Sequence, residues 1–180
     1  MLRTIIAIIM AIQISQPKVT PEDAARYATA LNEQAQVHDF DPLTGVAMIF
    51  HESSFNPRAV SKNGEDYGLA QIRARYVGDC KKNKNPVHRP TPECRRQKEL
   101  LLEPEENIRV MAELITWHRQ LCRDKVGTMA LPRWLASYQG RNSAREQRWC
   151  SPAPATWKIV AFRDRLIRKL YALGLLERPA

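Results

Sequence analysis

Helix-start signals recur along this chain, and they favour a mainly helical fold. At Thr20-Pro21 a capping hydroxyl precedes a proline, and two acidic residues follow where the positive end of a helix dipole attracts them. Asp41-Pro42 repeats this signal, and Pro104 with two following acids opens a strongly periodic segment. No segment indicates a confident strand. The predicted helices cover roughly residues 21–37, 42–53, 104–122, 131–138 and 155–173.

The length of the chain limits its domain organisation. Its 180 residues suit one domain with a sizeable core. The hydrophobic fraction of 44% and the charged fraction of 26% are ordinary for a globular protein. We therefore expect a single globular unit without internal repeats.

The N-terminal segment has one basic residue followed by a short apolar run through Ile12. This pattern fits a secretory signal better than a membrane span, which needs about 20 apolar residues. The stretch Gln13–Gln16 lacks a clean cleavage pattern, so an uncleaved anchor and a buried first helix stay open. We expect residues 1–16 to be a signal peptide or N-terminal anchor and residues 17–180 to form the domain.

Four cysteines, Cys80, Cys94, Cys122 and Cys150, follow this signal-like segment. An even number of cysteines suggests two disulfides and an oxidising compartment. Three pairings are available, and we predict Cys80 with Cys94 and Cys122 with Cys150. A zinc site that adds His88 to the first pair matches no common ligand spacing, so no metal is expected.

The charge of the chain favours an anionic partner. The net charge is +9 and the sequence pI is about 9.7. The basic residues look scattered and no nucleic-acid-binding motif is present, so nucleic acid is not the expected partner. Bacterial cell wall is also polyanionic, and the alternative is that the charge only confers solubility.

One carboxylate stands out by its position in the sequence. Glu52 comes at the end of an apolar run, Leu43–Phe50, and near the C-terminus of a predicted helix. A hydrophobic surrounding and the negative end of a helix dipole both raise the pKa of a carboxyl group. A carboxyl that stays protonated near neutral pH can serve as a general acid.

The residues around Glu52 resemble a known catalytic motif. The block His51–Ser61 followed by Gly68–Ile72 resembles the catalytic core of lytic transglycosylases with the lysozyme-like fold. Glu106–Ile108 and Ala136–Gly140 match shorter motifs of that family in the same order. The resemblance implies a mainly α, lysozyme-like single domain with a small irregular loop lobe.

Three departures from the family pattern bear on substrate recognition. Ala70 stands where the family usually has Met, and Gln139 stands where it usually has Asn. The loop between Ser61 and Gly68 is about one residue longer than in many relatives and carries two additional carboxylates. These changes concern the floor of the groove and the details of sugar recognition.

The resemblance also implies an activity. It indicates a peptidoglycan lytic transglycosylase that cleaves the MurNAc-GlcNAc β-1,4 bond and forms 1,6-anhydromuramic acid. Glu52 would act first as acid and then as base, and Ser61, Gln71 and Tyr138 would contact substrate or position the carboxyl. The family needs no cofactor. We expect a monomer that acts on glycan strands and is exported to the periplasm or outside the cell, with a membrane tether through the N-terminal segment as an option.

Each of these residues also has a structural interpretation. Ser61 could be a turn residue, Tyr138 a core aromatic, and Gln71 an amide that supports the backbone. Asp66 could be a second carboxylate, as in goose-type lysozymes that hydrolyse the same bond, or a structural cap. Glu65 fits a solvated loop better. A non-catalytic wall-binding module is a further alternative, and retention of Glu52 argues against it.

Overall fold

The structure is a computed structural model that describes residues 2–177. Within these residues it contains seven α-helices and one two-stranded sheet, which confirms the mainly α fold class. The helices are α1 (Leu2–Ser15), α2 (Pro21–His38), α3 (Pro42–Ser53), α4 (Pro92–Leu100), α5 (Pro104–Val126), α6 (Leu131–Tyr138) and α7 (Pro154–Ala172).

Two of the predicted helix starts, those of α2 and α3, are capped by side chains. The side chain of Thr20 accepts a hydrogen bond from the backbone N–H of Asp23, and Asp41 caps α3 in the same way. Helix α5 extends beyond the predicted end at Cys122, to Val126, and Gly127 follows it with a φ of 72°, in the left-handed region. Helix α4 was not predicted from the sequence.

A short hairpin forms although no segment of the sequence indicates a confident strand. Strands β1 (Asp66–Tyr67) and β2 (Ile72–Arg73) pair antiparallel, with Asp66 opposite Arg73. Each strand has only two residues, too few for a visible period in the sequence. This hairpin is the irregular lobe that faces the end of α3.

Helix α1 packs inside the domain. Its buried face consists of Ala7, Ile8, Ala11 and Ile12 and lies against α2, α3 and α7. This packing agrees with the buried-helix alternative, whereas the signal or anchor interpretation stays a prediction. No helix among residues 2–177 is both long and apolar enough to cross a bilayer.

Two disulfides join distant parts of the loops to helices. Cys80 is bonded to Cys94 at the start of α4, and Cys122 on α5 is bonded to Cys150 in the loop before α7. These are the pairs expected from the sequence. The bridge at Cys80 occupies both thiolates that a zinc site would have used.

Candidate functional site

Glu52 lies in the last turn of α3 with its side chain partly buried. Burial raises the pKa of this carboxyl to about 7, and the negative charge of Asp66 adds to the increase. Among the described residues, no protein group forms a hydrogen bond or an ion pair with the carboxyl. Glu52 is therefore a protonatable group near neutral pH that is free to meet a ligand.

The backbone turns sharply just after Glu52. Ser54 and Phe55 have φ values of 52° and 63°, in the left-handed region that bulky residues rarely adopt. Phe55 is buried, and its ring stacks on that of Tyr27 at a centroid distance of 6.4 Å. The burial of Phe55 offsets the cost of this conformation, which is on the order of 1–3 kcal/mol per residue. The end of α3 is thereby fixed.

A buried amide on α5 holds the hairpin in place. Asn107 is fully buried, and its Nδ2 donates to Leu101 O at 2.7 Å and Tyr67 O at 2.9 Å. Its Oδ1 accepts from the backbone N–H of Ala70 at 2.7 Å. Two of these bonds, to Ala70 and Tyr67, join groups 37 and 40 residues apart in sequence. The motif that contains Asn107 did not indicate this positioning role.

Gly68 is required for the same contact. Its φ is 74°, and a Cβ at this position would collide with Leu101 O and the Asn107 amide. The backbone N–H of Gly68 donates to Ala59 O at 2.8 Å. Gly68 therefore permits a close approach between backbone segments.

Tyr138, the last residue of α6, is close enough to the Glu52 carboxyl for its phenol to be affected by that charge. Burial raises its pKa well above the ordinary value, and the negative charges of Glu52 and Asp66 raise it further. Its hydroxyl donates to Ala70 O at 3.2 Å. This hydrogen bond ties the end of α6 to the turn between β1 and β2.

The two acidic residues of the hairpin loop are both paired with arginines. Asp66 accepts from Arg73 Nε at 2.9 Å across the sheet, and its side chain is only 17% exposed. Glu65 pairs with Arg75 at 3.0 Å and with Arg73 at 3.6 Å. The positive charge of Arg73 thus faces the carboxylate that could have acted as a second catalytic acid.

Ser61 makes its hydrogen bonds inside its own loop. Its hydroxyl donates to Asn63 Oδ1 at 2.6 Å and accepts from the backbone N–H groups of Asp66 and Glu65 at 2.9 and 3.2 Å. Since the single hydroxyl proton is already used, this geometry favours the turn interpretation.

Gln71 also supports the backbone. Its Nε2 donates to Gly68 O at 3.0 Å and Ala59 O at 3.2 Å. Its φ of 47° is a further left-handed conformation near the site, in addition to Ser54, Phe55 and Gly68. These two hydrogen bonds from the side-chain amide hold the turn between β1 and β2 against the loop that follows α3.

Behind Tyr138 lies His118 of α5, which is neutral because burial lowers its pKa to about 4. Its Nδ1 is 2.7 Å from the hydroxyl of buried Ser137, and its ring centroid is 5.5 Å from that of Tyr138. Since His118 is satisfied by Ser137, it supports Tyr138 and does not titrate near neutral pH.

The tryptophans differ in exposure. Trp134 is buried in the core, whereas Trp117 and Trp157 are 56% and 52% exposed. The exposed ring of Trp117 contacts the ring of His118 at a centroid distance of 4.6 Å. Trp117 therefore presents an exposed aromatic surface, and only the ring of His118 separates it from Tyr138.

A cleft of about 550 Å³ lies between α2 and α5, and Glu52 does not line it. Arg26 pairs there with Glu105 at 2.8 Å, and Arg109 pairs with Glu106 at 2.7 Å. Because these charges neutralise each other and the isolated carboxyl lies elsewhere, we place the candidate active site at Glu52.

Comparison with known families places this geometry in context. Residues 29–158 match the family model described as Transglycosylase SLT domain. Searches of curated proteins and of solved structures found no match. The matched segment contains Glu52, Asp66, Asn107 and Tyr138, whereas α1 and most of α7 lie outside it.

Proposed function

We propose that this chain, which belongs to the transglycosylase SLT domain family, cleaves the MurNAc-GlcNAc β-1,4 bond of peptidoglycan and leaves a 1,6-anhydromuramic acid end. Family membership supports peptidoglycan cleavage of the transglycosylase type. The product and the roles of individual residues are the proposed part.

The observation that carries the proposal is the environment of Glu52. Its carboxyl has a pKa of about 7 and no protein partner among the described residues. Such a group holds a proton at neutral pH and releases it readily, which both halves of the reaction require. A pure wall-binding module would gain nothing from a shielded acid, because burial of an unpaired carboxyl costs stability.

The proposed reaction uses Glu52 twice. The protonated carboxyl donates its proton to the glycosidic oxygen as the bond between that oxygen and C1 of the muramic acid breaks. The C6 hydroxyl of the same sugar then attacks C1 and gives its proton to the Glu52 carboxylate. The acid is restored without consuming water, and the attacking hydroxyl benefits from being part of the same sugar.

The pairing of Asp66 favours this route over hydrolysis. A hydrolase needs a second carboxylate to hold water or to stabilise the cation. In this structure the carboxylate of Asp66 is bound by Arg73. The second candidate function is nevertheless a goose-type-like hydrolase, because the charge of Asp66 acts directly on Glu52.

Mass spectrometry of products from purified peptidoglycan tests the proposal. Anhydro ends and reducing ends differ by one water, so wild-type protein separates the two routes directly. We expect anhydro ends from the wild type and from Asp66→Asn, with activity reduced much less than the roughly 100-fold that loss of a general base costs. Reducing ends together with an inactive Asp66→Asn protein would establish the hydrolase.

The neighbouring acid provides a matched control. Glu65→Gln removes one charge from the same loop and from the same arginine cluster. A loss that is specific to Asp66→Asn therefore cannot arise from disruption of the loop charges alone. Circular dichroism and thermal unfolding of both variants check that the fold is retained.

We further propose that the protein is exported to the periplasm or beyond. Peptidoglycan lies outside the cytoplasm, and two disulfides form most readily in an oxidising compartment. Residues 1–16 are the proposed signal or anchor, although α1 packs against the core. N-terminal sequencing of the exported protein determines whether these residues remain, and a cytoplasmic protein with free thiols would contradict export.

A further inference from the structure

The positive charge of the protein is concentrated at one end of the chain, in contrast to the scattered pattern described above. Residues 119–180 hold 13 Lys and Arg against four Asp and Glu, and residues 1–118 hold 15 of each. The net charge of +9 therefore arises entirely within the last third of the sequence. A charge this uneven makes a local electrostatic field.

Part of this charge is gathered around the bridge between Cys122 and Cys150, whose Cα atoms are 5.9 Å apart. Cations lie next to Cys122 in the last turn of α5, at the start of α6 and in the loop before α7. We call this set the basic end; it consists of Arg123, Lys125, Arg133, Arg141, Arg145 and Arg148, all exposed.

Most cations of the basic end have no acidic partner. Among the described residues only Arg148 forms an ion pair, with Glu146 at 2.8 Å. The other nearby acid, Asp124, accepts a hydrogen bond from Gln120. Five exposed cations are therefore not neutralised by the protein. Five of the six are arginines, whose planar guanidinium groups match carboxylate oxygens in pairs.

The basic end adjoins the candidate active site. Asn142 donates from Nδ2 to the Ser137 hydroxyl at 2.9 Å, and its Oδ1 accepts from the backbone N–H of Cys150 at 3.0 Å. Ser137 immediately precedes Tyr138, whose hydroxyl donates to Ala70 O in the hairpin turn and whose phenol is close enough to Glu52 to be affected by its charge. One amide thus connects the loop of the basic end to the wall of the cleavage site.

We propose that the basic end binds the free carboxylates of the peptide stems along the same glycan strand whose bond Glu52 cleaves. The proposal rests on the proposed function. A glycan strand is long and carries stems at regular intervals, so a strand held at Glu52 brings further carboxylates to neighbouring surface. The positive charges of the basic end complement these carboxylates. Binding them would retain a glycan strand whose sugar backbone itself carries no net charge.

A sedimentation assay with insoluble peptidoglycan tests this inference without catalysis. All proteins carry Glu52→Gln so that the wall is not digested, and the wall is stripped of attached polymers so that stem carboxylates supply its charge. The test variant adds Arg123→Gln, Lys125→Gln, Arg141→Gln and Arg145→Gln. We expect binding roughly 10- to 100-fold weaker than that of the parent at low salt, with the difference shrinking as salt is added.

A matched control removes the same number of charges around the other disulfide. Lys81→Gln, Lys84→Gln, Arg89→Gln and Arg96→Gln change exposed residues near the Cys80–Cys94 bridge. The second arm uses peptidoglycan whose carboxylates have been amidated. On this wall the parent protein should bind as weakly as the test variant binds to the untreated wall. Equal losses in test and control variants, or binding unchanged by amidation, would overturn the proposal.

Vesicles containing an anionic phospholipid form the third arm, because Val126 and Met129 are exposed beside the basic end. Vesicle binding that the test substitutions abolish, with wall binding unchanged, would assign the surface to a membrane and overturn the proposal. The assay is independent of the product analysis: a hydrolytic product with carboxylate-dependent binding would refute the proposed reaction and leave this inference standing.

Discussion

The hairpin lobe, residues 61–75, and the basic end use charge in opposite ways. In the hairpin both acids are paired with Arg73 or Arg75, and the turn is held by a buried amide. In the basic end five of six cations have no ion pair among the described residues. Paired charges position the hairpin around Glu52, whereas unpaired charges are available to a partner.

The largest expected effect concerns Glu52, which no arginine pairs among the described residues, unlike the two acids of the hairpin. Glu52→Gln keeps the shape of the side chain but cannot donate a proton. We expect release of soluble fragments from peptidoglycan to fall by about 100- to 10,000-fold. Glu65→Gln, which alters a paired acid nearby, should retain most activity. A comparable loss of activity in both variants would contradict a special role for the unpaired carboxyl of Glu52.

The next effect tests whether the amide or the ion pairs hold the hairpin. Asn107→Ala leaves three buried backbone groups without their partner, and each such group costs about 1–3 kcal/mol. We expect the free energy of unfolding to fall by about 3 kcal/mol or more in denaturant titration. Glu106→Ala breaks an exposed pair one residue away and should cost less than about 1 kcal/mol.

A third effect measures the cost of keeping Glu52 unpaired. Its pKa is about 7 in the fold, above its ordinary value of 4.5, so ionisation favours the unfolded state. Glu52→Gln should therefore match the wild type in stability below pH 4.5 and gain on it as pH rises to about 7. Above pH 7 the gain should level off at about 3 kcal/mol. A gain that is constant across this range would contradict the shifted pKa.

The smallest effect concerns electrostatics between the hairpin and α3. Asp66→Asn removes a negative charge that raises the pKa of Glu52, so that pKa should fall. Because the acid must be protonated, the alkaline limb of the pH–activity profile should move to lower pH by up to about one unit. Arg123→Gln, a change in the basic end, should leave this limb in place.

The sequence predicted the helices and the acid better than the loops. Thr20-Pro21 and Asp41-Pro42 carry local start signals, and α3 and its Glu52 follow from them. Thr91-Pro92 carries the same signal, with the Thr91 hydroxyl accepting from Cys94 N, yet no helix was predicted there.

The roles of the loop residues depend on contacts across the chain. Ser61 and Gln71 were expected to meet substrate, but in the structure their side chains bond to their own loop and to the backbone. The buried amide of Asn107 reaches groups 37 and 40 residues away. No local pattern encodes such distances, and the same is true of the grouping of cations around a disulfide.

The clamp formed by Asn107 has a consequence for the order of folding. Two strands of two residues each are too short to persist alone in water. They depend on hydrogen bonds from α5, and contacts between segments so far apart along the chain form late, after the entropy of closing a long loop has been overcome. A partly folded chain thus has an acid on a helix but no lobe opposite it, so completion of the fold and assembly of the cleavage site coincide.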